Sequence, residues 1–276
     1  QFAYYSVRAG MKGIEVGEFA SWPGKIGTTK MIMPIGMINA GNPERAFKEA
    51  CNCARIKDSP GAEDNHGVEV AGVVAAAVAE ALKPDATYES VIEKALSFCS
   101  ERLKKQCVVM LEKAKSIKHW KDIREFYTQI YEGKSISMAD EILAAGLASL
   151  YLAKGNPKDA IIIASNIGRD TDCKAYVAGG LAGAISGVEA LPEDWVKEIE
   201  EYVEINPYTL SRQTSYEKAK AFYRLVMKDR NIKIEEPENT INGILKDKLG
   251  KPDDYTLTAK DYESIIALDA GNKKIE

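Results

Sequence analysis

The sequence of 276 residues predicts an all-α fold, and three observations support this prediction. Apolar residues recur at three- and four-residue spacing along most of the chain, which is the pattern of helices with one buried face. The alternation of apolar and polar residues that marks strands is nearly absent. The tripeptide Gly-Asn-Pro occurs at 41–43 and again at 155–157, each time before a predicted helix. Because Asn is a favoured N-cap and Pro fits the first helical position, both tripeptides indicate a corner between two helices.

The helices are then predicted in order along the chain. An Ala-rich run over 67–82 lies between Pro60-Gly61 and Pro84-Asp85, which are typical helix boundaries. The next helix opens at 85–87 and reaches about residue 99. Further helices are predicted over residues 100–115, 119–131, 138–153, 157–166, 172–187, 192–204 and 214–229. We assign residues 1–204 to a helical domain and residues 205–276, which turn polar and turn-rich from about residue 230, to a C-terminal extension packed on it.

Composition and charge narrow the class of protein. Hydrophobic residues make up 45% and charged residues 28% of the chain, as in ordinary globular proteins. Every apolar stretch is interrupted before the roughly 18 residues that a membrane span needs. A net charge of -4 argues against a nucleic-acid partner. Five cysteines without a CxxC pair, and no signal-peptide pattern, predict reduced thiols and a cytoplasmic protein without a membrane or nucleic-acid partner.

The segment over 166–175 carries the candidate chemistry. Asp170 and Asp172 lie two residues apart at the start of a predicted helix, whose positive end favours anions. Their carboxylate oxygens are the ligands that Mg²⁺ or Mn²⁺ prefers. The same spacing also fits an N-cap followed by an acidic residue in the first turn. The spacing by itself therefore leaves a metal site and a capped helix both open.

The helix behind these aspartates favours the metal site. Ala175, Gly179, Gly183 and Gly187 recur every four residues, so one face of the helix carries almost no side chain. Each interior glycine costs about 1 kcal/mol relative to alanine, and the close approach of another helix is the usual compensation. We therefore expect the aspartates to lie on a helix in the middle of a bundle. A buried pair of carboxylates is very unfavourable without a cation or hydrogen-bond donors.

Three stretches together resemble the ADP-ribosylglycohydrolase family. The sequence GRDTDCKAYVAGGLAGAISG over 168–187, followed by Leu-Pro-Glu-Asp-Trp over 191–195, resembles the family's C-terminal metal motif. The stretch over 33–43 is similar to its proline–glycine segment, and Asp-Asn-His-Gly over 64–67 to its histidine segment. The resemblance covers roughly residues 24–200. It implies a compact multi-helix orthogonal bundle with a binuclear Mg²⁺ or Mn²⁺ centre, which hydrolyses the glycosidic bond of an ADP-ribosyl group.

The resemblance also implies roles for individual residues of the metal motif. Asp170 and Asp172 match the metal-binding aspartates and are the predicted catalytic residues. Cys173 stands where the family most often has Thr, and its sulfur is a poor partner for a hard cation. Arg169 is expected to pair either with a phosphate of ADP-ribose or with one of the two aspartates.

Two further segments are predicted to bind substrate. Gly27, Thr28 and Thr29 lie near the position of the family's loop that contacts the phosphates. His66 is expected either to stack on or hydrogen-bond a ribose or nucleobase, or to be a capping or surface histidine. The implied substrates are ADP-ribosylated proteins or small molecules that contain ADP-ribose.

One element of the family is not found in this sequence. The second metal half-site, an upstream Thr-Asp-Asp-Thr, does not occur. We therefore expect these residues to hold half of a two-metal site and the N-terminal part of the domain to lie upstream of residue 1. Two functions follow: a metal-dependent glycohydrolase, or a non-catalytic relative with an incomplete metal site that binds a nucleotide or a partner.

Overall fold

The protein is helical throughout the part of the chain that the structure describes. A computed structural model describes residues 2–19, 22–58, 66–203 and 213–231. These residues form thirteen α-helices and four short 3-10 helices, and the one β-type contact among them is an isolated antiparallel bridge between Lys25 and Met138. The prediction of an all-α fold is confirmed.

The helix bounds agree closely with the sequence pattern. The α-helices are α1 (Phe2–Arg8), α2 (Gly13–Val16), α3 (Met33–Ile38), α4 (Pro43–Ala54), α5 (Gly67–Ala81), α6 (Tyr88–Ser97), α7 (Glu101–Ser116), α8 (Ile123–Tyr131), α9 (Ala139–Leu152), α10 (Pro157–Asn166), α11 (Thr171–Ser186), α12 (Glu193–Val203) and α13 (Ser215–Asp229). The 3-10 helices are Gly17–Phe19, Ile26–Met31, Trp120–Asp122 and Val188–Ala190. The short helices α1, α2 and α3 have no counterpart in the sequence prediction, because they are too short to show a helical period.

Both Gly-Asn-Pro corners form as predicted. The side chain of Asn42 accepts a hydrogen bond from the Arg45 amide at 3.1 Å, and Asn156 accepts one from the Asp159 amide at 3.0 Å. The preceding glycines, at 41 and 155, both have a φ of 78°. This left-handed conformation is typical of the residue that follows the end of a helix, here α3 and α9. These caps fix where α4 and α10 begin.

Helix α5 forms the centre of the bundle. All of its residues except Glu69 are buried, as expected for a helix that is apolar on every side. It packs against α3, α4, α6 and α11. Two glycines allow the close approach: a Cβ at Gly36 would lie 2.6 Å from the Ala75 carbonyl oxygen, and one at Gly72 would lie 2.6 Å from Cys51 Sγ.

Helix α11 follows the predicted small-residue pattern only in part. A Cβ at Gly179 would lie 2.6 Å from Ile161 Cγ1, so α10 does approach this face closely. A Cβ at Gly183 would meet no atom within 4 Å. Gly187, with a φ of 78°, ends the helix. The four-residue spacing therefore marks one close contact and one helix end, and Gly183 is not explained by packing.

The internal contacts divide the chain into two compact units, Gln1–Pro192 and Glu193–Glu276. The first unit contains α1 to α11. In the second, α13 begins with a capping box in which Thr214 and Glu217 bond each other's backbone amides, and the Ser215 amide donates to the Glu200 carboxylate of α12 at 3.0 Å. The predicted boundary between residues 204 and 205 lies outside the described residues. Within the described ranges, no helix combines the length and the apolar character needed to cross a bilayer.

Candidate functional site

The two predicted aspartates lie at the corner between α10 and α11, which includes residues 168–170. Gly168 and Arg169 both adopt left-handed backbone conformations, with φ values of 110° and 56°. Glycine tolerates this conformation, whereas a side chain such as that of Arg169 raises its energy by roughly 1–2 kcal/mol. Asp170 then takes the N-cap position of α11, and Asp172 lies in its first turn. The chain is thus bent sharply just before both carboxylates.

The Asp170 side chain does not cap the helix that it precedes. It makes no capping hydrogen bond to the backbone amides of α11, and the residue is only 8% exposed. Of the two interpretations that the sequence left open, the capping one is therefore not the arrangement observed for Asp170. The buried carboxylate is instead part of a cluster in which ligand atoms of Asp170, Asp172 and Cys173 all lie within 4.8 Å of one another.

A lysine from a distant part of the chain is paired with this cluster. Lys30, in the 3-10 helix Ile26–Met31, places Nζ 2.7 Å from Asp172 Oδ2. This hydrogen bond is the main reason why the pKa of Asp172 falls to about 2. The same contact with Asp172, together with one to Cys173, raises the pKa of Lys30. Near neutral pH, Asp172 is therefore an ionised carboxylate beside an ammonium group. Its side chain is 75% exposed, so the expectation of two buried carboxylates is wrong for Asp172, which points to solvent from the first turn of α11.

The donor set fits a hard divalent cation through its two carboxylates. Burial and a hydrogen bond to Asp170 raise the pKa of the Cys173 thiol to about 12, so the sulfur is a neutral thiol. Because the thiolate is the form of cysteine that binds metals, and because sulfur is soft, Cys173 suits Mg²⁺ or Mn²⁺ poorly. The thiol donates to Asp172 Oδ2 at 3.8 Å. Asp170 and Asp172 are the two residues of the cluster whose chemistry suits such an ion.

The 3-10 helix that carries Lys30 also carries the predicted phosphate-binding residues. Gly27, Thr28 and Thr29 precede Lys30 directly, so the Lys30–Asp172 contact brings this segment beside the first turn of α11. Both threonines are fully buried, and among the described residues neither hydroxyl has a hydrogen-bond partner. A buried hydroxyl without a partner costs roughly 1–3 kcal/mol, which supports a polar ligand beside this helix.

Arg169 has a partner that the sequence did not indicate. Its Nε lies 2.6 Å from Glu141 Oε1 and its Nη2 lies 3.0 Å from Glu141 Oε2, a two-point ion pair with α9. Nη2 also donates to the carbonyl oxygens of Lys134 and Ser135, both at 3.1 Å. Of the two partners expected for Arg169, the neighbouring aspartates are not the one observed, because Glu141 of α9 takes that place. The guanidinium holds the corner before Asp170 against the N-terminal end of α9.

Beneath this corner lies a set of buried polar residues that the sequence analysis missed. Glu141 is 1% exposed and also accepts a hydrogen bond from Tyr127 Oη. Lys174 is fully buried and donates to Tyr127 Oη at 3.0 Å and to the Gly168 carbonyl oxygen. Burial lowers the pKa of Lys174 to about 8. The only signal in the sequence was the presence of charged residues near the N-terminal ends of two otherwise apolar helices, over 139–152 and 171–186.

His66 lies just before α5 and is 6% exposed. Its Nδ1 lies 2.8 Å from Glu69 Oε2, and Glu69 Oε1 accepts a hydrogen bond from the Ser100 amide. The contact with Glu69 outweighs burial and raises the pKa of His66, and Asp140 raises it further. The side chain makes no capping bond, and its buried Nε2 has no partner among the described residues. Residues 59–65, which include the Asp-Asn before His66, lie outside the described residues.

Two adjacent residues in the first turn of α9 connect these features. The charge of Asp140 raises the pKa of His66, and the next residue, Glu141, binds Arg169. The first turn of α9 therefore contacts the aspartate corner and acts electrostatically on His66. The structure brings the predicted residues of 27–29 beside those of 169–173 and adds Lys30 and Glu141 to them.

Comparison with known proteins identifies the family of this chain. The family model described as ADP-ribosylglycohydrolase matches residues 6–230, a longer stretch than the motifs alone indicated. A segment of 44 residues is 46% identical to the ADP-ribosylarginine hydrolase Tri1 of Pseudomonas putida (strain GB-1). That segment is 16% of this chain and 12% of the relative, so the match spans a small part of the relative's length. The chain belongs to the ADP-ribosylglycohydrolase family.

Proposed function

We propose that this chain hydrolyses the glycosidic bond between an ADP-ribosyl group and its acceptor, with a divalent cation at Asp170 and Asp172. Membership of the family supports the reaction class. The observation that carries the proposal is the pair of carboxylates at the sharp corner before α11, where the Asp170 side chain is buried without capping the helix. A buried carboxylate such as that of Asp170 is unfavourable without a cation or donors nearby, and the Asp172 side chain, which is 75% exposed, leaves the same corner open to an ion from solvent.

The acceptor that the comparisons favour is a guanidinium group. The relative's name specifies ADP-ribosylarginine, and 46% identity over the shared segment supports the same linkage here. ADP-ribosylated proteins are thus the first substrate class to test, and small molecules that contain ADP-ribose are the second.

The residues of the site have separable tasks in this reaction. A Mg²⁺ or Mn²⁺ ion, when bound, supplies positive charge that acidifies a water and orients hydroxyl oxygens. Asp170 and Asp172 hold that ion, and the Arg169–Glu141 pair fixes the corner that presents them. The hydroxyls of Thr28 and Thr29 are donors for oxygen atoms of the ADP-ribosyl group. His66 Nε2, whose ring is oriented by Glu69, offers one further hydrogen bond to the substrate. A binuclear centre requires a second set of ligands in addition to these two aspartates.

The test is hydrolysis by the purified chain with Mg²⁺ and with a chelator. Substrates are an ADP-ribosyl-arginine peptide, an ADP-ribosyl-serine peptide and O-acetyl-ADP-ribose. Hydrolysis of the arginine conjugate is expected to require Mg²⁺ and to fall in Asp172→Asn by at least about 10- to 100-fold, the loss that follows from removing even an outer-shell partner of a metal site. Asp159→Asn is the matched control, since Asp159 is an acidic residue in the first turn of the adjacent helix α10. Equal activity of Asp172→Asn and wild type would refute the assignment.

A non-catalytic relative is the second candidate, and one contact favours it. The Lys30 ammonium at 2.7 Å balances the charge of Asp172 without any metal ion. A chain of this kind binds ADP-ribose and hydrolyses none of the three substrates. Calorimetric titration with ADP-ribose, in the presence and absence of Mg²⁺, separates the two functions. An affinity for ADP-ribose that does not depend on Mg²⁺, together with no hydrolysis of the three substrates, supports the non-catalytic function.

A further inference from the structure

Lys174 is a buried lysine whose position the packing of the fold does not explain. It is fully buried on α11, four residues after Asp170. Moving an ammonium group from water into a protein interior costs several kcal/mol unless its partners compensate. A methionine of similar length would fill the same space without that cost. Packing alone therefore gives no reason for a lysine at this position.

The partners of Lys174 all belong to the corner that presents the aspartates, or to its support. Side chains of a helix lean toward its N-terminus, so Lys174 reaches back along α11 to the Gly168 carbonyl oxygen, to which it donates. It also donates to Tyr127 Oη at 3.0 Å and lies 4.4 Å from the centre of the Tyr127 ring. These contacts lie directly beneath the left-handed residues of the corner.

A second cation holds the same corner from the other side. Arg169 pairs with Glu141, and Tyr127 Oη donates to the same carboxylate. Tyr127 therefore links Lys174 to the Arg169–Glu141 pair, and the corner is held between two cationic side chains. Because two successive residues are in left-handed conformations, this backbone relaxes to other conformations unless it is held.

We propose that Lys174 is a positioning residue, which fixes the Gly168–Asp170 corner for ligand binding and lowers the stability of the fold in doing so. Its effect on metal binding rests on the proposed function, whereas its effect on the order of the corner does not. Removal of the ammonium group frees the Gly168 carbonyl, so the corner is then held only through the Arg169–Glu141 pair, to which Tyr127 still donates. The carboxylate of Asp170 then samples more than one position.

Lys174→Met is the test, and three quantities are measured on the full chain. Its melting temperature is expected to equal or exceed that of the wild type. Amide hydrogen exchange over residues 167–173 is expected to rise by about 10-fold or more, with exchange in α5 unchanged. Affinity for Mn²⁺, measured by electron paramagnetic resonance, is expected to fall by about 10-fold, within the range for lost support of a metal ligand. Lys104→Met, at an exposed position of α7, is the control and leaves all three unchanged.

The outcomes separate this inference from the proposed function. Unchanged exchange over 167–173 overturns the positioning role, and so does a variant that fails to fold, since the lysine would then be needed for folding itself. Tyr127→Phe is a second variant that keeps the ring and removes the hydroxyl link, and it is expected to raise exchange in the same segment by a smaller factor. If the wild type binds no Mn²⁺ and hydrolyses nothing while Lys174→Met still loosens the corner, the function fails and the positioning role stands.

Discussion

Two glycines of α11 provide a matched test of how closely α10 approaches this helix. Gly179 and Gly183 lie one turn apart in the interior of the same helix. A Cβ added at Gly179 would lie 2.6 Å from Ile161 Cγ1 and 3.2 Å from its Cδ1, whereas a Cβ at Gly183 would meet nothing within 4 Å. Substitution by alanine thus makes the same chemical change in two different surroundings.

The magnitudes follow from these distances. Alanine stabilises a helix interior by about 1 kcal/mol relative to glycine, and this gain is common to both sites. Carbon atoms in contact normally lie about 3.5–4.0 Å apart, so Ile161 must move by about 1 Å in Gly179→Ala. Such overpacking typically costs about 1–3 kcal/mol. Gly183→Ala is therefore expected to stabilise the fold by up to about 1 kcal/mol, and Gly179→Ala to leave it unchanged or destabilise it by up to about 2 kcal/mol.

Thermal and urea denaturation of the two variants measure this difference. A difference of about 2 kcal/mol in the free energy of unfolding corresponds to roughly 4–8 °C between the two melting temperatures. Gly180→Ala is an internal standard, because its Cβ would lie 2.5 Å from Cε of Met33, the flexible end of a side chain that can move aside. Its stability is expected between those of the other two. Equal stability of Gly179→Ala and Gly183→Ala, or the reverse order, would refute the packing of α10 on α11 described above.

Two further predictions concern charges. The pKa of His66 is raised above 6.5, chiefly by Glu69, so its stabilising contribution is complete below pH 6.5 and is lost as the pH rises through the folded-state pKa. The melting temperature of the wild type should therefore fall relative to that of His66→Gln as the pH rises above about 6.5. His119→Gln is the control and should follow the wild type, and parallel curves for all three proteins would contradict this. Lys30→Met removes the ammonium group that competes for Asp172, and because exposed ion pairs contribute about 1 kcal/mol or less, the affinity for Mn²⁺ should rise by up to about 5-fold at low salt. Mn²⁺ titration measures this effect, which should shrink with added salt; an unchanged or lower affinity would show that the lysine does not compete with the cation.

Much of the fold was accessible from the sequence because helices and their caps are local structures. The Ala-rich run over 67–82 and the two Gly-Asn-Pro corners contain their own boundaries, and the structure places α5, α4 and α10 accordingly. The short helices near the N-terminus, such as α3, were not predicted, because one or two turns of helix show no measurable period. Their positions depend on neighbours, as in the contact of Gly36 with α5.

Of the candidate site, only the residues that are close together in the sequence could be predicted. Asp170 and Asp172 are recognisable because they are two residues apart beside a glycine. The residues that pair with this segment could not be recognised, because they are distant in the sequence. Lys30 is 142 residues from Asp172, and Glu141 is 28 residues from Arg169. No local spacing encodes a pair of this kind.

The sequence by itself therefore determined that the chain is helical, where most helices begin, and which residues offer carboxylates for a cation. Those properties depend on residues within one or two turns of each other. Tertiary structure alone decided that Arg169 pairs with Glu141, that Lys174 is buried beneath the aspartate corner, and that Gly179 but not Gly183 contacts another helix. The physical reason is that burial and ion pairing depend on which helix lies opposite a side chain, and the packing of distant segments settles that choice.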